Sequence, residues 1–114
     1  MPDLEGLAGE ARRLSGLIDK GVAALRAAAI AYAEAEHEYR SAKAAAYLQT
    51  EGTVAEREAV VYGLVGNLRR ARDLADGERL AALEAVRSRR TQLSALQSLL
   101  AAHRSEADFA RVGP

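Results

Sequence analysis

The two prolines of this chain lie at positions 2 and 114, so every residue between them has the backbone N–H that an α-helix requires. Among the 114 residues, 26 are Ala and 15 are Leu, both near the top of the helix propensity scale. Residues that favour strands are few, and aromatic residues make up only 4% of the chain. The sequence therefore predicts an all-α protein that is helical along almost its whole length.

A turn signal interrupts the helical sequence once, near its middle. Gly52 suits the left-handed conformation just after a helix, and Thr53 with Glu56 has the spacing of a capping box. Because so short a connection makes consecutive helices antiparallel, we predict a two-helix hairpin that forms a single domain over residues 1–114. Its expected segments are helix 1 at about 3–50, a turn at 51–53, helix 2 at about 54–102 and a frayed tail at 105–114.

Apolar or small residues follow a coiled-coil spacing of three and four residues along helix 1. The positions of this seam are Leu4, Leu7, Ala11, Leu14, Ile18, Gly21, Leu25, Ala28, Tyr32, Ala35, Tyr39, Ala42 and Ala46. Helix 2 offers a broader stripe, formed by Val54, Val61, Leu64, Val65, Leu68, Ala71, Ala75, Ala82, Val86, Leu93, Leu96 and Leu100. Folding the chain about Gly52 predicts that Tyr39 packs over Gly63 and Gly66. Gly16 and Gly77 are expected to kink the helices rather than break them.

Several large apolar residues fall outside this seam, and two helices alone bury too little surface to cover them. We expect a second copy to do so, giving a homodimer or higher assembly in which two coiled-coil-like hairpins form a four-helix bundle. The expected interaction surface comprises Ile30, Leu74, Leu80 and Leu83.

The charges balance, with 16 basic and 16 acidic residues and a pI near 6.7, which removes any bulk electrostatic attraction to nucleic acid or to a membrane. A local alternative remains, because helix 2 concentrates arginines that could contact DNA phosphates. These residues are Arg69, Arg70, Arg72, Arg87, Arg89, Arg90 and Arg104. Against this alternative, Asp73 and Asp76 follow Arg69 and Arg72 by four residues and are expected to pair with them.

The chain has no Cys, so it lacks disulfides, thiolate zinc sites and a cysteine nucleophile. Glu34 and His37 have the Glu-x-x-His spacing of di-metal helical bundles, but such sites need two pairs and further glutamates. His103 with Glu106 repeats the spacing in the expected frayed tail. Because no catalytic motif accompanies these pairs, we interpret them as solvated surface residues and predict no metal, no cofactor and no enzyme activity.

Three segments of the chain resemble small helical proteins of actinobacterial phages and prophages. They are the stretch Glu38–Leu48, the turn segment Glu51–Ala59 and the Leu/Ser-rich run Leu93–Ala102. The resemblance covers about residues 34–104 and implies a setting beside replication and recombination genes, without assigning an activity. Residues 60–66 depart from it, since they are more apolar and richer in glycine, and they mark a candidate partner surface.

The secreted helical hairpins of actinobacterial type VII systems share the length and shape expected here. Those proteins carry Trp-x-Gly in the turn, and this chain has no Trp. The N-terminal residues also lack the basic start and apolar core of a signal peptide, and no apolar run is long enough to span a membrane. We therefore expect a cytoplasmic protein, in the host cell if it is phage-encoded, that has no membrane partner and acts by binding an unidentified protein, with DNA binding as the alternative.

Overall fold

The computed structural model describes residues 3–112 as three helices: α1 at Leu4–Gln49, α2 at Val54–Leu64 and α3 at Gly66–Val112. Within this range there is no strand, and the prediction of an all-α protein is confirmed. The frayed tail predicted at 105–114 is wrong for 105–112, which continue α3 with good helix formers and an ion pair between Asp108 and Arg111. Residues 113–114 of that tail, like the prolines at both ends, lie outside the described range. No described helix has a stretch long and apolar enough to cross a bilayer.

The helices contribute residues to two compact units. The first, called here the terminal unit, contains the described residues 3–23 and 83–112. The second, called here the turn unit, contains residues 24–82. Both α1 and α3 therefore supply residues to each unit, whereas α2 belongs to the turn unit alone.

Helix α1 begins at a cap formed by Asp3, whose carboxylate accepts a hydrogen bond of 2.6 Å from the backbone N–H of Gly6. It then continues without a break through Gly16, and α3 likewise continues through Gly77. A glycine costs a helix about 1 kcal/mol relative to alanine, and the surrounding Ala and Leu residues offset this cost.

The connection between α1 and α2 is held by local hydrogen bonds. Gly52 has a φ of +121°, a conformation that side chains with a Cβ rarely adopt. Thr53 precedes α2 with an extended backbone, and its hydroxyl accepts a 3.2 Å hydrogen bond from the N–H of Glu56. At the other side, the Thr50 hydroxyl donates to the carbonyl of Ala46. These contacts satisfy backbone groups that a helix end leaves free.

The prediction of one unbroken helix 2 is wrong, because Val65 separates α2 from α3. Its backbone has φ −104° and ψ 10°, outside the helical region, although its N–H still donates to the carbonyl of Val61. The neighbouring Gly63 and Gly66 and the β-branched valines have low helix propensity. Both Val61 and Val65 are buried, so the break is accompanied by packing of two side chains one turn apart.

The core of the terminal unit is aliphatic. Its buried side chains are Leu7, Leu14, Val86 and Leu100, two from α1 and two from α3. The two helices approach closely at Gly21, where a Cβ would lie 3.1 Å from a methyl group of Val86. A glycine at this seam position therefore permits a helix contact that a larger residue would obstruct.

In the turn unit, α1 faces α2 and the first part of α3. All thirteen predicted seam positions of α1 except Leu4 are buried or half-buried, so the spacing predicted the inward face of that helix. The stripe predicted for helix 2 is wrong at Val54, Leu64 and Ala71, which are exposed. The break at Val65 explains the two later errors, because it changes the direction in which residues on either side of it point.

The predicted packing of Tyr39 over Gly63 and Gly66 is also wrong. No atom beyond the local backbone lies within 4 Å of the position that a Cβ on either glycine would occupy. Tyr39 instead lies under the guanidinium of Arg72, further along the chain. Counting residues symmetrically from Gly52 assumed one straight helix after the turn, and the structure has two.

Candidate functional site

Tyrosines covered by cations distinguish the turn unit. All four tyrosines of the chain lie in residues 24–82, and each ring has a basic side chain over it. The distances to the ring centroids are 3.7 Å for Arg69 over Tyr62, 4.5 Å for Arg72 over Tyr39, 5.1 Å for Arg79 over Tyr32, 5.5 Å for Arg57 over Tyr47 and 5.8 Å for Lys43 over Tyr39. Three of these contacts, those of Arg57, Arg72 and Arg79, connect α1 to α2 or α3.

Three of these rings surround a cleft of about 210 Å³. Its walls are formed by Tyr39, Tyr47 and Tyr62, with the buried Val61 and Val65 among its lining residues. The charged residues that line it are Lys43, Arg69 and Glu58. The cleft thus combines an apolar and aromatic surface with two cations and one carboxylate, a composition typical of recognition sites.

Arg57 holds α2 against the end of α1 at one side of the cleft. Its Nη2 donates a 2.6 Å hydrogen bond to the carbonyl of Tyr47, one of the last carbonyls of α1 that a helix cannot satisfy internally. The guanidinium also covers the Tyr47 ring. The Nε of Arg57 is buried and has no hydrogen-bond partner within residues 3–112. Arg57 therefore positions Tyr47 as a wall of the cleft.

The arginines predicted to contact phosphates are dispersed. Arg69 covers Tyr62, Arg72 covers Tyr39 and lies 3.6 Å from Glu36, and Arg87 lies 3.3 Å from Glu84. Arg89 is half-buried beside the position of a Cβ on Gly21. The remaining three, Arg70, Arg90 and Arg104, are exposed.

The predicted ion pairs of Arg69 with Asp73 and of Arg72 with Asp76 are wrong. Asp73 instead accepts from its neighbour Arg72, and Asp76 accepts a 2.6 Å hydrogen bond from Arg79. Both arginines of the predicted pairs turn toward tyrosine rings, which explains the change of partner. The hydrogen bond to Asp73 raises the pKa of Arg72 above its ordinary value.

The pairs considered for metal binding are not assembled into a site. Glu34 and His37 are exposed on α1, and His103 is half-buried while Glu106 is exposed. Within residues 3–112, no three His, Asp or Glu side chains come together in a group that could hold an ion.

The four residues of the predicted interaction surface do not share one face. Ile30, Leu74 and Leu80 of the turn unit are exposed, and Leu83 of the terminal unit is half-buried. At 100° per residue, Leu74 and Leu80 stand about 120° apart on α3, on opposite flanks of its inward face. Other exposed apolar side chains of the turn unit include Val60 and Leu64, on α2.

The cleft was not predicted from the sequence, and neither were four of its eight lining residues, Lys43, Tyr47, Glu58 and Tyr62. One signal was present, because all four tyrosines of a chain with five aromatic residues fall between positions 32 and 62. Their convergence depends on the turn and on the break at Val65, and periodicity does not reveal that break.

Comparison with known proteins adds no relative: the chain matches no protein family, no curated protein and no solved structure.

Proposed function

We propose that this protein acts by binding proteins, first a second copy of itself, and that it has no catalytic activity. The observation that supports the proposal is the balance of apolar side chains. Among residues 3–112, thirteen large hydrophobic side chains are exposed and only six hydrophobic side chains are buried. Single exposed apolar residues are common in monomers, but a large exposed apolar surface marks a site that a partner covers, and we assign these side chains to such a surface.

The positions of these side chains favour a four-helix assembly. In the turn unit, Ala75, Arg79 and Ala82 mark the half-buried face of α3, and Leu74 and Leu80 flank it on either side. In a two-helix pair, each helix buries only the stripe that faces its partner. In a four-helix bundle, each helix also contacts a second neighbour beside that stripe. We propose that the arms form an antiparallel hairpin and that two hairpins pair as a closed dimer.

The resemblance to phage helical proteins supports a setting for this activity. A small helical protein of that kind would act in the cytoplasm of the host cell, on a protein partner in DNA metabolism or in host interference. Binding of DNA through the exposed arginines Arg70, Arg90 and Arg104 is the alternative. It has weaker support, because four of the seven candidate arginines contact tyrosines, carboxylates or a helix partner.

Self-association is tested by melting the protein over a concentration series. We expect the melting temperature to rise with concentration, because association stabilises the folded chain by mass action. The double variant Leu74→Glu with Leu80→Glu should lose that dependence, and Asn67→Glu, at another exposed position of α3, should keep it. A concentration-independent transition with a monomeric mass would overturn the proposal.

The alternative is tested by a mobility-shift titration with single-stranded and duplex DNA at low and moderate salt. Phosphate binding must weaken steeply as salt rises. If the protein binds DNA in this salt-sensitive way and the double variant Arg90→Gln with Arg104→Gln does not, DNA binding would replace protein binding as the function.

A further inference from the structure

We propose that the cleft of the turn unit receives the Phe109 side chain of a second copy of this chain. The acidic residues beside Phe109 would then pair with Lys43 and Arg69 at the cleft. The inference rests on the proposed self-association and specifies one of its contacts.

The size of the cleft limits what it can hold. Its volume of about 210 Å³ lies below the roughly 300 Å³ at which pockets for small molecules and cofactors begin. The cleft therefore suits a single inserted side chain. Pockets that receive one aromatic or aliphatic anchor from a partner are where binding energy concentrates in protein interfaces.

The lining determines which side chain fits. Tyr39, Tyr47 and Tyr62 present rings, and aromatic pairs prefer the edge-to-face and offset contacts that an inserted ring can make. Val61 and Val65 add buried apolar surface. An aromatic hydrocarbon side chain can bury its whole ring here without leaving a polar atom unsatisfied.

The charges determine what should flank that side chain. Lys43 and Arg69 line the cleft with one opposing carboxylate, Glu58. An approaching segment should therefore carry carboxylates and at most a minor basic component, because like charges across an interface are unfavourable.

The C-terminal part of α3 has these properties. Phe109 is the only phenylalanine of the chain, and 79% of it is exposed. Asp108 precedes it directly and Glu106 lies one helical turn before it, whereas the nearest cations of this part of the chain are Arg104 and Arg111. Asp108 and Arg111 already form an exposed ion pair of 2.5 Å. This pair competes only weakly with a contact between Asp108 and the cations of the cleft, because exposed ion pairs contribute little free energy. In a two-fold dimer the contact would occur twice.

A nucleobase fits the same cleft less well. The ring of Tyr62 is covered by the guanidinium of Arg69 at 3.7 Å, so a base would have to displace it in order to stack. Binding of single-stranded DNA is therefore an outcome of the test and not the proposal.

The test is sedimentation equilibrium of the full chain over a concentration series. Phe109→Ala should raise the dimer dissociation constant by about tenfold or more, the loss expected for a buried aromatic anchor. Leu48→Ala, which truncates a side chain that is 87% exposed, is the matched control and should leave the constant unchanged. At the cleft, Tyr62→Ala should weaken the dimer, and Tyr32→Ala, a cation-covered tyrosine outside the cleft, should not.

A charge exchange makes the test specific. Lys43→Glu and Asp108→Lys should each weaken the dimer, and the two together should restore it, because the exchanged charges attract again. Both positions are exposed, so circular dichroism should show unchanged helix content in every variant.

Two results would overturn the inference while leaving self-association in place. The first is a dimer that tolerates Phe109→Ala but dissociates in the double variant Leu74→Glu with Leu80→Glu. The second is single-stranded DNA binding that is abolished by Tyr62→Ala, which would assign the cleft to a base. A wild-type chain that is monomeric at all concentrations would overturn both the inference and the proposed function.

Discussion

The terminal unit and the turn unit use the same α1 spacing to build two different helix contacts. The terminal unit contains four of the six buried side chains, all aliphatic, and a glycine at which its helices approach closely. The turn unit contains two buried valines and all four tyrosines, each under a cation. The spacing thus determines which residues face inward, whereas residue size and polarity determine how close the helices come and whether a cleft remains.

The largest expected loss of folding stability is in the aliphatic core of the terminal unit. Leu14→Ala in the terminal unit should cost about 2–5 kcal/mol, because it leaves a cavity where the side chain is 2% exposed. Leu25→Ala, at a half-buried seam position of the turn unit, should cost clearly less. Urea unfolding of both variants measures the difference, and equal losses would mean that the two units are packed alike.

A pair of glycines gives the next effect. Gly21→Leu should overpack the terminal unit against Val86 and cost about 1–3 kcal/mol. A Cβ at the exposed Gly63 would meet no neighbouring atom within 4 Å, so Gly63→Leu should be neutral or stabilising through its better helix propensity. Thermal unfolding compares the two, and the opposite order would restore the predicted packing of Tyr39 over Gly63.

Replacing a threonine by alanine should cost more stability in the turn unit than in the terminal unit, by a smaller difference than for the glycines. Thr53→Ala removes the cap of α2 and should cost about 1 kcal/mol. Thr91 of the terminal unit donates to the carbonyl of Arg87 within a helix, so Thr91→Ala should be close to neutral. Denaturant midpoints of both variants test the contrast, which fails if Thr53→Ala is also neutral.

The cation contacts of the turn unit are weaker still. A double-mutant cycle of Arg72→Ala and Tyr39→Leu should give a coupling energy of about 0.5–1 kcal/mol, as for other partly exposed cation–ring contacts. Each single variant is measured by urea unfolding. A coupling of zero would show that the ring and the guanidinium are neighbours without a stabilising interaction.

The smallest expected effect is at an exposed pair of the terminal unit. A hydrogen bond from Arg13 holds the pKa of Glu10 below its ordinary value of 4.5. The pair therefore stabilises the fold above that value, and this contribution is lost as the pH falls through the lower pKa of the folded chain. Melting wild type and Arg13→Gln between neutral and acidic pH should show a small divergence at neutral pH that disappears in acid. A difference in melting temperature that grows in acid would contradict the lowered pKa of Glu10.

Local signals made the helices predictable from the sequence. The absence of internal proline, the alanine content and the caps all act within one or two helical turns, so they do not depend on the rest of the fold. The inward face of α1 followed from its spacing for the same reason. These features specify each helix by itself.

Contacts between helices were harder to predict. The break at Val65 depends on how two valines pack, and it altered the partner of Tyr39 and the exposure of Leu64. The observed partners of Asp73 and Asp76 differ from the predicted ones because nearby arginines lie over tyrosine rings. Spacing within one helix does not reveal such contacts. The cleft depends on all of these contacts together and therefore could not be located beforehand.

The confinement of every tyrosine to the turn unit has a spectroscopic consequence. Since the chain has no tryptophan, its intrinsic ultraviolet emission comes from Tyr32, Tyr39, Tyr47 and Tyr62, all within residues 24–82. Fluorescence thus reports on one unit while far-ultraviolet dichroism reports on the helices of both. Recording the two signals during the same thermal ramp would show whether the units unfold together or in sequence, without attaching a dye or changing a residue.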